Sequence, residues 1–350
     1  MTKTLVALLA LSLAVPTAAN VPPSPLTLEQ RAEQALAHDD YAYAFVEGLT
    51  TEVGPRQAGT EAEARARAWA VEWLKQYGFE NVAIEPFMMD TWVPGDIARA
   101  RVTGPFAQDL AVLPLGNSAA TPAGGIEAEV VFFRTVDELR AAPAGSLTGK
   151  IAYISHQMRP AQDGSHYGFA GPARWVGAGI AASKGAVATV IKSVGTDHHR
   201  NPHTGGTSFP EGVAAIPAGA LSLPDAENLE RMFARAKGRP VTLKLEMNPR
   251  QIGQTESGNV VGEIVGRNPS LPPVLLACHI DSWWNAPGAF DDGAGCGIII
   301  AAARHAASSG RPLRTIRVLL AGAEETGLWG SKAYSAAHIN EPIAVGMESD

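Results

Sequence analysis

Only two cysteines, Cys278 and Cys296, occur in 350 residues, and no Cys-x-x-Cys motif is present. Each is therefore most simply a small buried apolar residue, and a bridge between them in an oxidising compartment is not decided by spacing. Basic charge is scarce as well: 28 Lys and Arg stand against 35 Asp and Glu, a formal net charge of −7. Nucleic acid and anionic membrane both require a basic face, so neither is expected as a partner. No apolar run reaches the ~18 residues that would span a bilayer. Repeats and low-complexity segments are missing too, and with 46% hydrophobic residues the composition excludes a disordered or fibrous chain.

The amino terminus carries an export signature. Lys3 supplies positive charge, residues 5–15 an apolar stretch, and Thr17-Ala18-Ala19 a small-residue cleavage site. Residues 1–19 are set aside as a signal peptide, and the mature protein is expected to be soluble and either periplasmic or secreted. The remaining length exceeds one typical domain.

After the extended Pro22-Pro23-Ser24-Pro25 leader, residues 28–45 have the apolar spacing of one helix. Thr60-Glu61-Ala62-Glu63 reads as a capping box opening an amphipathic helix that Gly78 ends. Residues 82–87 and 98–102 alternate like half-buried strands. From residue 119 the texture changes to a linker composition, and short strands (128–133, 150–155, 187–193, 241–246) then alternate with Gly-punctuated helices up to residue 248. This second unit, 119–248, is read as an insertion between a first part, 20–118, and a second part, 249–350. Its polar loop 197–206 holds three histidines without rigid ligand spacing. A solvated loop, a reach toward substrate through His203, and metal ligation all remain open for it.

The chemistry concentrates after residue 273. Three short apolar runs read as buried parallel strands, and each ends in proton-handling or metal-binding side chains. Residues 274–278 end in His279-Ile280-Asp281, residues 315–320 run on to Glu324-Glu325, and residues 343–347 end in Glu348-Ser349-Asp350. In an open α/β sheet the carboxyl ends of parallel strands rim the ligand crevice, so the three runs describe one site. His279 and Asp281, two apart on a strand end, share a face; an imidazole that binds metal usually donates its other N–H to a carboxylate, and Asp281 suits that task. Asp291-Asp292, in a glycine-flanked loop, offer a carboxylate that could bridge two ions. Glu324-Glu325 repel each other unless a cation neutralises one, after which the other is free to take a proton from water.

These residues resemble the co-catalytic di-zinc exopeptidase family, which includes bacterial leucyl aminopeptidases, glutamate carboxypeptidase II and carboxypeptidase Q. The resemblance is closest to the carboxypeptidase Q branch: His279-Ile280-Asp281-Ser282-Trp283, Asp291-Asp292-Gly293, Ala323-Glu324-Glu325 and Met347-Glu348-Ser349-Asp350 match its pattern in order and spacing. Gly54-Pro55-Arg56 matches its early loop, and Pro202-His203-Thr204-Gly205 with Ile216-Pro217 makes the insert look like that family's protease-associated domain. The implied fold is α/β, a three-layer sandwich with a mixed, mainly parallel central sheet interrupted by the smaller insert. The implied cofactor is two Zn2+, with His279 and Asp350 on one, Glu325 on the other and Asp291 between them. Glu324 would be the general base, Asp281 the partner of His279, and His203 a substrate contact. The reaction implied is exopeptidase hydrolysis of dipeptides or short peptides. An aminopeptidase on longer peptides and a non-catalytic binding protein on a peptidase fold are the alternatives, and a homodimer is compatible with any of them. The family pattern has a further histidine downstream of Asp350, which His305 cannot replace from roughly 20 Å along a helix. The sequence is therefore read as C-terminally truncated, with an incomplete second zinc site and weak or no activity expected at this length.

Overall fold

The computed structural model describes residues 26–350. The signal expected over residues 1–19 lies outside the described residues. Among those described, no helix is long and apolar enough to cross a membrane. Helix α1 (Leu28–His38) belongs to a compact unit that ends at Asp39; all later elements belong to the unit Asp40–Asp350. Where one helix is expected over 28–45, α1 stops and α2 (Tyr41–Gly48) starts afresh after Asp39-Asp40. Aspartates compete with the helix for its own backbone groups and place negative charge at the carboxyl end of α1, where the helix dipole disfavours it.

Helix α3 (Glu61–Gln76) is followed by the long strand β1 (Glu80–Val93). Eight short strands come next: β2 (Ala98–Gly104), β3 (Gln108–Leu110), β4 (Val112–Pro114), β5 (Ile126–Phe133), β6 (Ile151–Ile154), β7 (Ala188–Lys192), β8 (Ala218–Leu221) and β9 (Thr242–Met247). Helices α4 (Val136–Ala141), α5 (Ser165–Ala170), α6 (Pro172–Trp175), α7 (Gly177–Ser183) and α8 (Leu223–Ala236) are interspersed among them. The chain then runs through β10 (Arg250–Ile264), β11 (Val274–His279), α9 (Gly295–Ala307), β12 (Ile316–Ala321), α10 (Trp329–Ala337) and β13 (Val345–Glu348).

Two sheets result. The first has the order β1-β10-β12-β11-β13. Its β1–β10 and β10–β12 pairs are antiparallel, while β12–β11 and β11–β13 are parallel, so the sheet is evenly mixed and its parallel half carries the strand ends singled out above. On one face α2, α3 and α9 bring Phe45, Ala70, Leu74 and Ile300 against Val260, Val318 and Leu320, all fully buried. On the other, Tyr334 of α10 covers Val261 and Leu319. Helices on both faces make the three layers expected of a sheet whose central strands are apolar on both sides.

The second sheet has the order β3-β2-β9-β5-β6-β7-β8-β4, with β5 to β8 all parallel. All of its strands fall between β1 and β10 in sequence. Residues 98–114, grouped with the first part on sequence, pair here instead, β2 to β9 and β4 to β8. The capping box expected at α3 does not form. The Glu63 carboxylate reaches back to the Gly59 N–H (3.0 Å), but the Thr60 hydroxyl donates to the Gln57 carbonyl (2.6 Å) rather than accepting from the helix. Glu63 is drawn inward by Ser257, whose hydroxyl donates to it at 2.5 Å, and the side chain is completely buried.

Candidate metal centre

Strand β11 ends at His279, which is 1% exposed, and three loops close around its ring. The Nε2 atom lies 3.1 Å from Asp291 Oδ1, 3.4 Å from Asp350 Oδ1 and 3.9 Å from Glu324 Oε2. The Nδ1 atom lies 3.2 Å from the Asp281 carbonyl and 3.5 Å from its Oδ1. Asp281, wholly buried, does more than face the imidazole: Oδ1 accepts from the Glu324 N–H (2.9 Å) and Oδ2 from the Glu325 N–H (3.3 Å). One carboxylate thus fixes both the ring and the backbone of the glutamate pair. Ala323, just before that pair, adopts φ 56° in the left-handed region, which costs an L-residue roughly 1–2 kcal/mol and turns the chain sharply at the end of β12.

The two adjacent aspartates divide their work. Asp292 is buried, and both of its oxygens accept from backbone, Oδ2 from His279 N–H and Oδ1 from Gly295 N–H at 2.9 Å each. His279, Asp292 and Asp350 can each present a ligand atom within 4.8 Å of the others. Because both Asp292 oxygens already tie the strand end to the start of α9, Asp291, whose side chain is 63% exposed, is the freer donor. The Cys278–Cys296 disulfide joins the residue before His279 to the first turn of α9 (Cα–Cα 5.1 Å). The pairing left undecided by sequence is therefore formed, and it staples the two segments that Asp292 also ties.

Electrostatics follow from packing acids around one ring. Burial works against a charged His279, but hydrogen bonds to Asp281, Asp291 and Asp350 outweigh it and push its pKa far up. Burial raises Glu324 to about 7, with His279 opposing and Asp281, Asp350 and Asp291 adding to the rise. Burial also lifts Glu325 well above its ordinary range, reinforced by Asp291 and Asp281, and lifts Asp292 to about 7. Asp350 is held down by its hydrogen bond to His279. Carboxylates forced this close by the fold find relief in a cation, and a nitrogen and oxygen donor set of this kind suits zinc.

Five of the residues singled out on sequence, His279, Asp281, Asp291, Glu324 and Asp350, meet here. Glu325 joins them through its backbone bond to Asp281 and the field of Asp291. His203 makes no hydrogen bond to the acids among the described residues; its N–H donates to Ser193 Oγ (2.8 Å), and burial, followed by Arg174, holds its pKa down, with Asp291 opposing. Its neighbours His198 and His199 pair with Glu227 and Asp197 at the surface. His338 bonds Glu341 and Glu85 instead of the centre. The loop folds back on its own sheet through Gly206, which bridges to Gly116 just after β4; a Cβ on Gly116 would lie 2.5 Å from the ring of Trp283, which follows β11 of the first sheet, so only glycine permits this approach.

Arg56, noted on sequence only as part of the early-loop match, has a role that sequence reasoning missed. It is fully buried and donates to the carbonyls of Ile280, Pro287 and Gly288, holding the loop between His279 and Asp291 in place. Burial lowers its pKa to about 10 while Asp281, Asp292 and Asp291 oppose the fall. Its Gly-Pro-Arg context marks a turn, and nothing in the periodicity around it signals burial.

The family model for peptidase family M28 matches residues 259–350, the segment holding every acid of the centre. Carboxypeptidase Q of Mus musculus is 36% identical over 291 residues, 83% of this chain and 60% of its own, so the chain spans about 60% of the length of that relative. A zinc aminopeptidase from Bacillus subtilis shares the fold, with a TM-score of 0.58 at 23% identity over 85% of this chain and 64% of its own. The crystal structure of a peptidase M28 precursor from Shewanella amazonensis SB2B superposes with a TM-score of 0.88 at 44% identity, covering 92% of this chain and 73% of its own. With that likeness running through both sheets and the acid cluster, the chain belongs to peptidase family M28.

Proposed function

We propose that the protein is an exported, zinc-dependent exopeptidase acting on dipeptides or short peptides. The observation that carries this reading is the convergence of Asp291, Asp350 and Glu324 on one imidazole nitrogen, with Asp281 behind it. His279 and Asp350 would hold one zinc, Glu325 a second, and Asp291 would lie between them. Bound zinc would supply Lewis acidity toward the scissile carbonyl and make a water easier to deprotonate. Glu324, pushed up to about 7 by burial, is suited to accept that proton and hand it to the leaving amine. Asp281 orients the ring and presents Glu324 at a fixed angle, since it accepts from that residue's own N–H. Carboxypeptidase Q among the relatives supports an exopeptidase reading. The segment 98–247 is read as the protease-associated insert, with His203 as its contact to substrate.

Glu324→Gln tests the assignment. Made in a protein that carries the downstream histidine of the family pattern, the variant should keep the zinc content of its parent by elemental analysis and lose hydrolysis of a dipeptide panel by ~10²–10⁴-fold. Hydrolysis that survives this change, or that survives chelation of zinc in the parent, would remove the basis of the mechanism. Comparing dipeptides, N-blocked dipeptides and amino-acyl amides then tells a dipeptidase from an enzyme reading only one terminus.

A further inference from the structure

A cavity of about 890 Å³ opens in the second sheet and shares no residue with the acid cluster around His279. It lies just past the ends of β5 and β6, at the carboxyl edge of a run of parallel strands, where α/β sheets hold their ligands. Its volume falls in the range of small-molecule sites. The walls are aromatic: Phe132 stacks on Phe233 of α8 (5.2 Å), and Phe169 stands edge-on to His156 (4.2 Å) with more than half its surface exposed.

The polar groups at this cavity are unusually short of partners. His156 is 7% exposed, and neither ring nitrogen has a hydrogen-bond partner among the described residues. Buried polar atoms left unpaired cost roughly 1–3 kcal/mol each, so such a ring is a ligand contact in waiting. Arg134 and Arg159 also face the cavity, and neither guanidinium is ion-paired or hydrogen-bonded among the described residues. Glu230, on the same lining, is pinned through Oε1 alone, by Tyr153 (3.1 Å), Ser155 and Lys192 (3.3 Å), which leaves Oε2 without a hydrogen bond among the described residues.

We propose that this cavity is a second ligand site, for a short zwitterionic peptide with an aromatic or large apolar side chain. The planar forks of Arg134 and Arg159 match a free α-carboxylate, Glu230 Oε2 matches an α-ammonium, and the phenylalanine walls take the side chain. His156 completes the site as a neutral donor or acceptor. A fatty-acid carboxylate or free phosphate would satisfy the arginines but bring no donor to Glu230 Oε2, and phosphate would leave the aromatic walls empty, so a peptide is the occupant that uses every feature.

Calorimetric titration of the metal-stripped chain with leucyl-phenylalanine tests this. Its C-terminal amide, its N-acetyl derivative, octanoate and inorganic phosphate serve as the comparison probes. Binding of the dipeptide should fall at least ~10-fold in an Arg134→Ala/Arg159→Ala variant, and the amide should bind the parent correspondingly less well. The acetyl derivative should lose affinity through Glu230, and a Glu230→Gln variant should narrow that difference. Both arginines are surface side chains, so a matching thermal unfolding curve is expected for the double variant. Equal dipeptide affinity in parent and double variant would overturn the site, as would absence of dipeptide binding. Octanoate or phosphate binding as tightly as the dipeptide would overturn the peptide assignment.

Discussion

Glu63 offers a quantitative check on the packing beneath the centre. Its carboxylate is fully buried between Ser257, the Gly59 N–H and Arg67, whose Nε lies 3.7 Å away, and burial raises its pKa from 4.5 to about 7 against those partners. The folded state therefore binds a proton more tightly than the unfolded chain does. Below pH 4.5 the group is protonated in both states and its contribution to stability is fully present; as pH rises through about 7 that contribution is lost. The full swing is worth about 3 kcal/mol, an upper figure for a carboxyl flanked by a guanidinium. Glu63→Gln keeps the size and the acceptor for Gly59 and removes the titration. Urea unfolding of parent and variant in chelator, from about pH 4 to about pH 8, isolates the effect as the difference between the two curves. The variant should gain on the parent steadily over that range, by up to about 3 kcal/mol. A difference that stays flat, or that runs the other way, would refute the claim that burial dominates at this position.

Arg56→Met should lower stability by roughly 3–5 kcal/mol, because buried carbonyls of the 280–288 segment lose their donor, and zinc affinity should fall with it; unfolding and zinc titrations read the two effects. Reducing the Cys278–Cys296 bridge, or replacing both residues by Ala, should cost about 3 kcal/mol for a loop of this separation, measured as a drop in the urea midpoint. Gly116→Ala should cost about 1–3 kcal/mol and shift tryptophan fluorescence, since the added methyl meets the Trp283 ring.

The acid cluster was legible because its strands are short, apolar and followed directly by the chemistry, and because parallel strands must deliver their ends to one rim. What escaped notice has a common character. Strands β3, β4 and β8, of three or four residues, are too brief to show a period. The assignment of 98–114 to the second sheet depends on pairing with β8 and β9, more than a hundred residues away. Arg56 and Asp292 act through backbone carbonyls and N–H groups, and a sequence does not say which of those need a partner. The His203 loop shows the same limit from the other side: three histidines stand together on paper, and the fold sends two of them to surface acids.

The long pairing of β1 with β10 has a consequence for how this chain tolerates change. The backbone leaves the first sheet and re-enters it through neighbouring strands whose far ends, Val93 and Arg250, sit opposite each other in register. Whatever is threaded between those two positions starts and finishes at one doorway, so the sheet below keeps its register however the intervening segment is lengthened, trimmed or exchanged. Evolution, or an engineer, could remodel the upper module while the acids beneath stay where they are.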